Sequence, residues 1–313
     1  MAKALLLFSG GLDSLLAYKI LQAQNVEVVP IFFKTYFFSQ EKAQEIAKAN
    51  GIELRVEDVG PEHLEIVKNP KFGRGKWMNP CVDCHLLMIK KAKEIMEKEG
   101  FDFVASGEVL GQRSMSQNPQ ALKRIEREAG LEGKLLRPLS AKRLSPTEAE
   151  EKGWVDRDKL YGISGRGRWE QLKLVETFRI KKYQTPAGGC LLTDPGFGAR
   201  LKDMSEHWPE YRSEDVQLIR NGRIFWEGDV LIVVGRDKED CERLHKIILP
   251  EDYIIDLVDV PGPTTVVRGK KASDKVIEKA IELTVKYAHK ADKLDEIKIK
   301  VCRLEKEEEI VKK

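Results

Sequence analysis

The sequence predicts an α/β protein: a Rossmann-like parallel sheet in residues 1–200, followed by a smaller α+β domain in residues 201–313. Three observations predict it. Apolar, strand-like runs alternate with helical segments through the first 60 residues, the order that builds parallel βαβ units. A glycine-rich turn, Ser9-Gly10-Gly11-Leu12-Asp13-Ser14, joins the first strand directly to the first helix. Near residue 200 the pattern changes to short strands separated by tight turns. A length of 313 residues suits two domains and is ample for a sizeable core.

Taken in order, Lys3-Ala4-Leu5-Leu6-Leu7-Phe8 reads as a buried strand, and Leu15 to Leu21 as the helix that follows. Val26 to Phe33 is a second strand. Ser39 to Asn50 is a helix stopped by Gly51, and Ile52 to Val59 alternates as a third strand. Residues 68–80, with Pro70, Gly73, Gly75 and Pro80, read as a loop. Cys84 to Glu99 is an amphipathic helix closed by Gly100, and Phe101 to Ser106 is another strand. Gly107 to Gln120 is a polar loop, Lys134 to Leu139 a short extended piece, and Pro146 to Lys152 a helix capped by Ser145. Gly162 to Arg168 is a loop of glycine and arginine, and Pro186 to Cys190 a tight turn.

In the second domain, Val216 to Ile219 and Arg223 to Trp226 read as two strands around an Asn221-Gly222 hairpin turn. Val230 to Val234 is a strand, and Asp237 to Lys246 a helix. Tyr253 to Val260 and Thr264 to Arg268 are strands flanking Pro261-Gly262-Pro263. Ser273 to His289 is a helix, Glu296 to Leu304 a last strand, and Glu305 to Lys313 a frayed, charged tail.

Charged residues make up 34% of the chain, yet the net charge is only +3, so any nucleic-acid surface is local rather than global. No run of 18 or more apolar residues exists to span a bilayer. A strand from residue 3 or 4 leaves no room for a leader, and the expected location is the cytoplasm. Five cysteines, an odd number, argue against a disulfide framework.

The strand–turn–helix at Ser9–Ser14 is built to hold an anion. Its glycines let several backbone N–H groups converge, the helix dipole adds partial positive charge, and Ser9 and Ser14 add hydroxyl donors. Asp13 beside a phosphate is repulsive unless a cation or a proton transfer gives it work. The spacing is not that of a P-loop, which carries a lysine this turn lacks.

Cys81-Val82-Asp83-Cys84 stands at a loop–helix junction, where thiols are pushed toward thiolate. A structural zinc would need a second such pair, and the chain has none. A redox dithiol would need a different strand context. With Cys190, the pair could hold three corners of an iron–sulfur cluster with one iron left open. Plain burial stands as the further alternative, and it is the expectation for Cys241 and Cys302.

The string Ser9–Ser14 resembles the S-G-G-x-D-S signature of the PP-loop ATP pyrophosphatases, whose fold is that of the adenine nucleotide alpha hydrolases. Ser106-Gly107-Glu108-Val109-Leu110-Gly111-Gln112, Ser114-Met115-Ser116-Gln117 and Leu136-Arg137-Pro138-Leu139 extend the resemblance to the catalytic domain of tRNA 4-thiouridine synthases, over roughly residues 1–155. The 2-thiouridine synthases that use a PP-loop are similar but more distant.

That resemblance implies ATP bound on Ser9, Gly10, Gly11, Asp13 and Ser14. Phe33 and Lys34 would lie near the nucleoside, and Gly107, Gln112 and Ser116 would close the site. It implies Mg²⁺ held by Asp13, a [4Fe–4S] cluster on Cys81, Cys84 and Cys190, and tRNA as substrate. The sulfur donor would be sulfide or a cysteine desulfurase with its carrier. Catalysis would rest on Asp13, Cys81, Cys84 and Cys190.

Unlike those enzymes, the chain shows no RNA-binding module ahead of the PP-loop. Val234-Gly235-Arg236-Asp237 and Asp259 to Arg268 are similar to the NFACT-R domain, which implies RNA contact there. Arg113, Arg166, Arg168, Lys181 and Lys182, interleaved with aromatics, are the candidate RNA contacts of the first domain. Two alternatives stay open: sulfur transfer to a small molecule, and an ATP-dependent RNA-binding translation factor without sulfur chemistry.

Overall fold

A computed structural model describes residues 1–38, 40–184, 190–270, 272–289, 296–303 and 306–312. The chain divides into two compact units, Met1–Asp194 and Pro195–Lys313. The division falls before residue 200 because a helix that begins at Pro195 packs against the helix after it, inside the second unit.

The first unit runs β1 (Lys3–Leu7), α1 (Leu12–Gln22), β2 (Glu27–Lys34), α2 (Gln40–Ala49), β3 (Arg55–Asp58), α3 (Gly60–Lys68), α4 (Cys81–Glu99), β4 (Phe103–Ser106), α5 (Pro119–Ala129), β5 (Leu135–Leu136), α6 (Glu148–Glu151) and α7 (Trp169–Thr177). Its five strands are all parallel, in the order β3-β2-β1-β4-β5. Central strand β1 is buried on both faces, as a parallel sheet covered by helices requires. Ala4 and Leu6 face one core, with Leu12, Leu16 and Ile20 of α1. Leu5 faces the other, with Ile89 and Ala92 of α4 and Ile125 of α5.

The strand order reverses beside β1. The chain steps from β1 to β2 and β3 on one side, then returns to place β4 on the other. The helices that follow β1 and β4 therefore cover opposite faces of the sheet, and open α/β sheets bind ligands at the carboxyl edge of such a switch point.

The second unit runs α8 (Pro195–His207), α9 (Ser213–Arg220), β6 (Arg223–Glu227), β7 (Val230–Val234), α10 (Lys238–Ile247), β8 (Tyr253–Leu257), β9 (Thr265–Arg268), α11 (Asp274–Lys286), β10 (Ile297–Arg303) and β11 (Lys306–Lys312). Its sheet is antiparallel throughout, ordered β11-β10-β8-β9-β7-β6. Arg268 is buried at its heart. The guanidinium donates to Asp252 at 2.9 and 2.7 Å and to Asp215 at 3.1 Å, and so joins β9, the turn before β8 and α9.

Three sequence expectations fail in this unit. Val216–Ile219 is not a strand but part of α9, because Asp215 accepts the Arg212 backbone N–H at 2.7 Å and caps a helix. A short apolar run fits helix and strand equally well. The hairpin turn lies instead between β6 and β7, where Gly228 takes a φ of 59°. Within the segment expected to fray, residues 306–312 form β11, in antiparallel register with β10.

In the first unit, Thr147 rather than Ser145 caps α6, its backbone N–H and hydroxyl both meeting Glu150 at 2.8 Å. Helices α3, α5 and α7 had no counterpart in the sequence reading. Of the turn expected at Pro186–Cys190, only Cys190 lies among the described residues; Ser39 and Leu304 also lie outside them. No described helix is long and apolar enough to cross a membrane.

Candidate functional site: a nucleotide loop beside three cysteines

The loop after β1 owes its shape to two glycines and two serines. Gly10 has a φ of 76°, and a Cβ there would stand 3.0 Å from the Ala43 backbone. Ser14 Oγ donates to the Gly11 carbonyl at 2.8 Å, while the Ser9 backbone N–H donates to Ser14 Oγ at 3.3 Å. Ser9 Oγ accepts the Gly11 N–H at 3.3 Å. The helix begins at Leu12, earlier than the sequence suggests, which puts Asp13 in its first turn.

The loop after β4 lies directly on this one. A Cβ on Gly107 would fall 2.6 Å from the Asp13 carbonyl carbon and 2.6 Å from the Ser14 nitrogen. Gln112 Nε2 donates to Asp13 Oδ2 at 2.7 Å. Arg168, the residue before α7, donates through Nη2 to the same oxygen at 3.1 Å, and from α7 Gln171 Nε2 donates to Gln112 Oε1 at 3.1 Å. The Gly162–Arg168 loop is held in place for this: Gly165 N–H donates to the Leu110 carbonyl at 2.7 Å, and Ser140 Oγ donates to the Ile163 carbonyl at 2.7 Å. The segment before residue 185 closes the other side, with Gln184 N–H on the Gly10 carbonyl at 3.2 Å.

Several buried polar atoms here lack a partner among the described residues: Asp13 Oδ1, Ser116 Oγ, Gln117 Oε1, Arg168 Nε and Gln171 Oε1. Buried polar groups are ordinarily satisfied, so a concentration of orphans on one crevice marks a place made for a polar ligand.

The cysteines arrive at the same edge. Helix α4 begins at Cys81, not Cys84, so the two thiols sit one turn apart on its first turn. Asn79 Nδ2 donates to Cys81 Sγ at 3.2 Å, and His63 Nε2 lies 3.2 Å from Cys84 Sγ. His63 is fully buried against Phe37 and Phe38, and burial pushes its pKa down to about 4, which keeps the ring neutral. Leu191 N–H donates to the Phe37 carbonyl at 3.1 Å and so anchors Cys190 beside this group.

Burial raises the Cys84 thiol well above its ordinary value, and the neighbouring Cys190, Cys81 and Asp83 raise it further. Burial also lifts Cys190, to about 11, with Cys81 adding to the rise and Arg113 opposing it. The three sulfurs therefore lie within electrostatic reach of one another. Cys84 and Cys190 therefore resist ionisation unless a cation joins them. Among the described residues, no three His, Cys, Asp or Glu side chains converge on a single ion. Three mutually coupled thiols suit a soft, polynuclear iron–sulfur group in donor chemistry.

One ionic chain links the two halves. His85, next to Cys84, meets Glu108 Oε1 through Nδ1 at 2.7 Å, and Glu108 Oε2 accepts Arg137 Nε at 2.9 Å. Burial alone would raise the Glu108 carboxyl, but Arg137 and His85 outweigh it and bring it down to about 2. Arg137, almost entirely buried, also pairs with Glu126 of α5.

The remaining sequence candidates sit as follows. Phe33 is buried in the core cluster with Val59 and Val82, so its ring is not free to meet a nucleoside. Lys34 pairs with Asp58 at 3.3 Å. Arg113 and Arg166 are exposed, Lys182 pairs with Glu45 at 2.6 Å, and the Lys181 N–H donates to Asn50 Oδ1 at 3.1 Å. Sequence reasoning missed Gln171 and the His85–Glu108–Arg137 chain. Arg137 in a strand-like apolar run was the one signal available, since an arginine there must have an acidic partner.

Residues 1–143 match the family described as thiamine biosynthesis protein (ThiI). The first unit carries a ThiI-family domain. Residues 222–313 match the NFACT protein RNA binding domain, so the second unit carries that module. Among curated relatives, tRNA-specific 2-thiouridylase MnmA 3 of Bacteroides fragilis is 35% identical over 103 residues, 32% of this chain and 28% of the relative. A probable tRNA sulfurtransferase of Methanosarcina mazei is 31% identical over 116 residues, 35% of this chain and 29% of the relative. The chain thus spans less than a third of the length of these two relatives. A crystal structure of a 4-thiouridine synthetase–RNA complex with bound ATP aligns at a TM-score of 0.38 and 22% identity, over 64% of this chain and 50% of that one. At so low a score the fold rests on the strand order above.

Proposed function

We propose that the protein is an ATP-dependent tRNA sulfurtransferase that adenylates a uridine carbonyl, at C2 or C4, and replaces its oxygen with sulfur. The observation that carries this is the meeting, at one sheet edge, of an anion loop rich in unsatisfied polar atoms with three electrostatically coupled cysteines. The ThiI-family domain, the RNA-binding module and the names of the curated relatives support it.

The chemistry divides between the two halves. Backbone N–H groups of residues 9–14 hold the β- and γ-phosphates of ATP. The uridine oxygen attacks the α-phosphorus, an O–P bond forms, the bond to the β-phosphate oxygen breaks, and pyrophosphate leaves with the electron pair. The N3 proton passes to solvent. Hydrosulfide then adds at the activated carbon, and its proton passes to N3, which regains the hydrogen lost in the first step. AMP leaves with the electrons of the C–O bond. Positioning and charge neutralisation supply most of the acceleration of the first step.

Asp13, through the free Oδ1, is the residue to hold Mg²⁺, which when bound neutralises phosphate charge. Cys81, Cys84 and Cys190 are the residues to hold a [4Fe–4S] cluster, which when bound supplies an open iron for hydrosulfide. Ser116 and Gln117 offer buried polar atoms to the nucleotide. Exposed Arg113 and Arg166, and the second unit, contact tRNA phosphates.

The test is anaerobic incubation of the protein with unmodified tRNA, MgATP and sulfide. The expected result is AMP, pyrophosphate and a thiouridine peak in the nucleoside digest. AMP without thiouridine, or no AMP at all, overturns the assignment.

A further inference from the structure

Arg168 is 155 residues from Asp13 in sequence, and the fold brings them together. Its guanidinium donates through Nη2 to Asp13 Oδ2, the oxygen that also accepts Gln112. Its Nε is buried and has no partner among the described residues. Asp13 Oδ1, on the same ion pair, is buried and unpartnered too. The pair thus has a donor and an acceptor left over, both at the anion loop. Gln171, two residues into α7 and fully buried, braces the arrangement by donating to Gln112, and keeps an unpartnered Oε1 of its own. A surface arginine for RNA would not be spent this way. Its side chain is only 21% exposed, whereas Arg166 two residues earlier lies open to solvent.

We infer that Arg168 is a catalytic residue of adenylyl transfer: its Nε–H is the donor kept for a phosphate oxygen of ATP, at the bond broken as pyrophosphate leaves. This rests on the nucleotide assignment made above. Before ATP binds, the Arg168 charge offsets the Asp13 carboxylate, which would otherwise repel phosphate from the loop. When triphosphate arrives, the guanidinium gains the stronger acceptor, and Asp13 is freed for a cation. As the bond to the β-phosphate breaks, the departing pyrophosphate takes the electron pair, and its growing charge faces a fixed guanidinium in a crevice that excludes much of the water. Gln112 and Gln171 are positioning residues: they act through Asp13 and Arg168.

Arg168→Gln and Arg168→Lys separate this from an RNA contact and from a purely structural role. Three measurements are made on the full chain: AMP formation with tRNA, equilibrium binding of Mg²⁺ with α,β-methylene-ATP, and tRNA affinity as a function of salt. Arg168→Gln is expected to lower kcat for AMP formation about 100-fold or more, the usual effect of removing one donor to developing charge. Its tRNA affinity and salt slope stay those of wild type. Arg168→Lys keeps the charge beside Asp13, and therefore the fold, but loses the Nε–H and the planar fork. It is expected to lose about tenfold or more in kcat. Retention by Arg168→Gln of AMP formation within threefold of wild type overturns the inference. So does a fall in tRNA affinity and salt slope with kcat intact. If wild type itself forms no AMP, the sulfurtransferase assignment fails and the analogue decides for Arg168. A tenfold weaker affinity in both variants upholds the phosphate contact, and an unchanged affinity refutes it.

Discussion

Gly107→Ala adds one methyl group at the point where the two site loops touch. Gly107 has an ordinary φ, so the added Cβ brings no conformational penalty of its own. The cost is steric. The Cβ would sit 2.6 Å from both the Asp13 carbonyl carbon and the Ser14 nitrogen, and 2.7 Å from the Asp13 oxygen, against 3.4 Å or more for ordinary contact. All three atoms are backbone, and no side chain can swing aside. One loop must therefore retreat by about 0.8 Å, the difference between 2.6 and 3.4 Å. Overpacking of this kind costs roughly 1–3 kcal/mol. In a unit of this size each kcal/mol lowers Tm by roughly 2–4 °C. The larger effect is on rate, because a displacement near 1 Å in a reacting site costs about 100-fold. Differential scanning calorimetry and an AMP assay on the same preparation measure both. A variant with wild-type Tm and wild-type AMP formation would refute the close approach of the two loops, and with it the geometry of the nucleotide site.

Four further outcomes follow from the same structure. Asp13→Ala abolishes AMP formation while circular dichroism stays native; retained turnover removes the nucleotide loop from the mechanism. On the cluster proposal, wild type is expected to take up iron and sulfide on anaerobic reconstitution and Cys190→Ser to lose them; if Cys81→Ser with Cys84→Ser still binds both in cluster ratio, the three-cysteine site is wrong. Arg268→Met strands Asp252 and Asp215 without their buried partner, and costs about 3–5 kcal/mol in denaturant unfolding of the second unit; a loss below about 1 kcal/mol contradicts the burial. Glu108 is held at about 2 when folded, below its free value of 4.5, so its contribution is complete above pH 4.5 and disappears as pH falls toward 2. At ~1.4 kcal/mol per pKa unit this is on the order of 3 kcal/mol, and the acid slope of wild type over that window should be steeper than that of Glu108→Gln.

The parts of the site legible in the sequence are those made by neighbours in the chain. Ser9–Ser14 is an anion loop because a strand, two glycines and a helix N-terminus are contiguous, and Cys81 and Cys84 share one helical turn. What closes the site comes from far away. Arg168 reaches Asp13 only because the Gly162–Arg168 loop is pinned to Leu110 and Ser140, and no local pattern encodes those bonds. The arginine consequently read as one of several basic residues for RNA. Helix α9 was misjudged because four apolar-leaning residues carry no period, and the cap that decides them is the Arg212–Asp215 bond. Strand β11 was missed because its lysines and glutamates look solvated, while its pairing depends on backbone groups that any side chain permits.

The chain His85–Glu108–Arg137 fastens the cysteine helix to the loop after β4, which lies on the Ser9–Ser14 loop, with two contacts, at 2.7 and 2.9 Å, centred on a single carboxylate. Such a fastener leaves little room for independent drift. A substitution that slides α4 along its axis pulls on Glu108, and Gly107 beside it presses on Asp13. The cysteine helix and the Ser9–Ser14 loop are thus mechanically one part, and a shift in either is felt by the other.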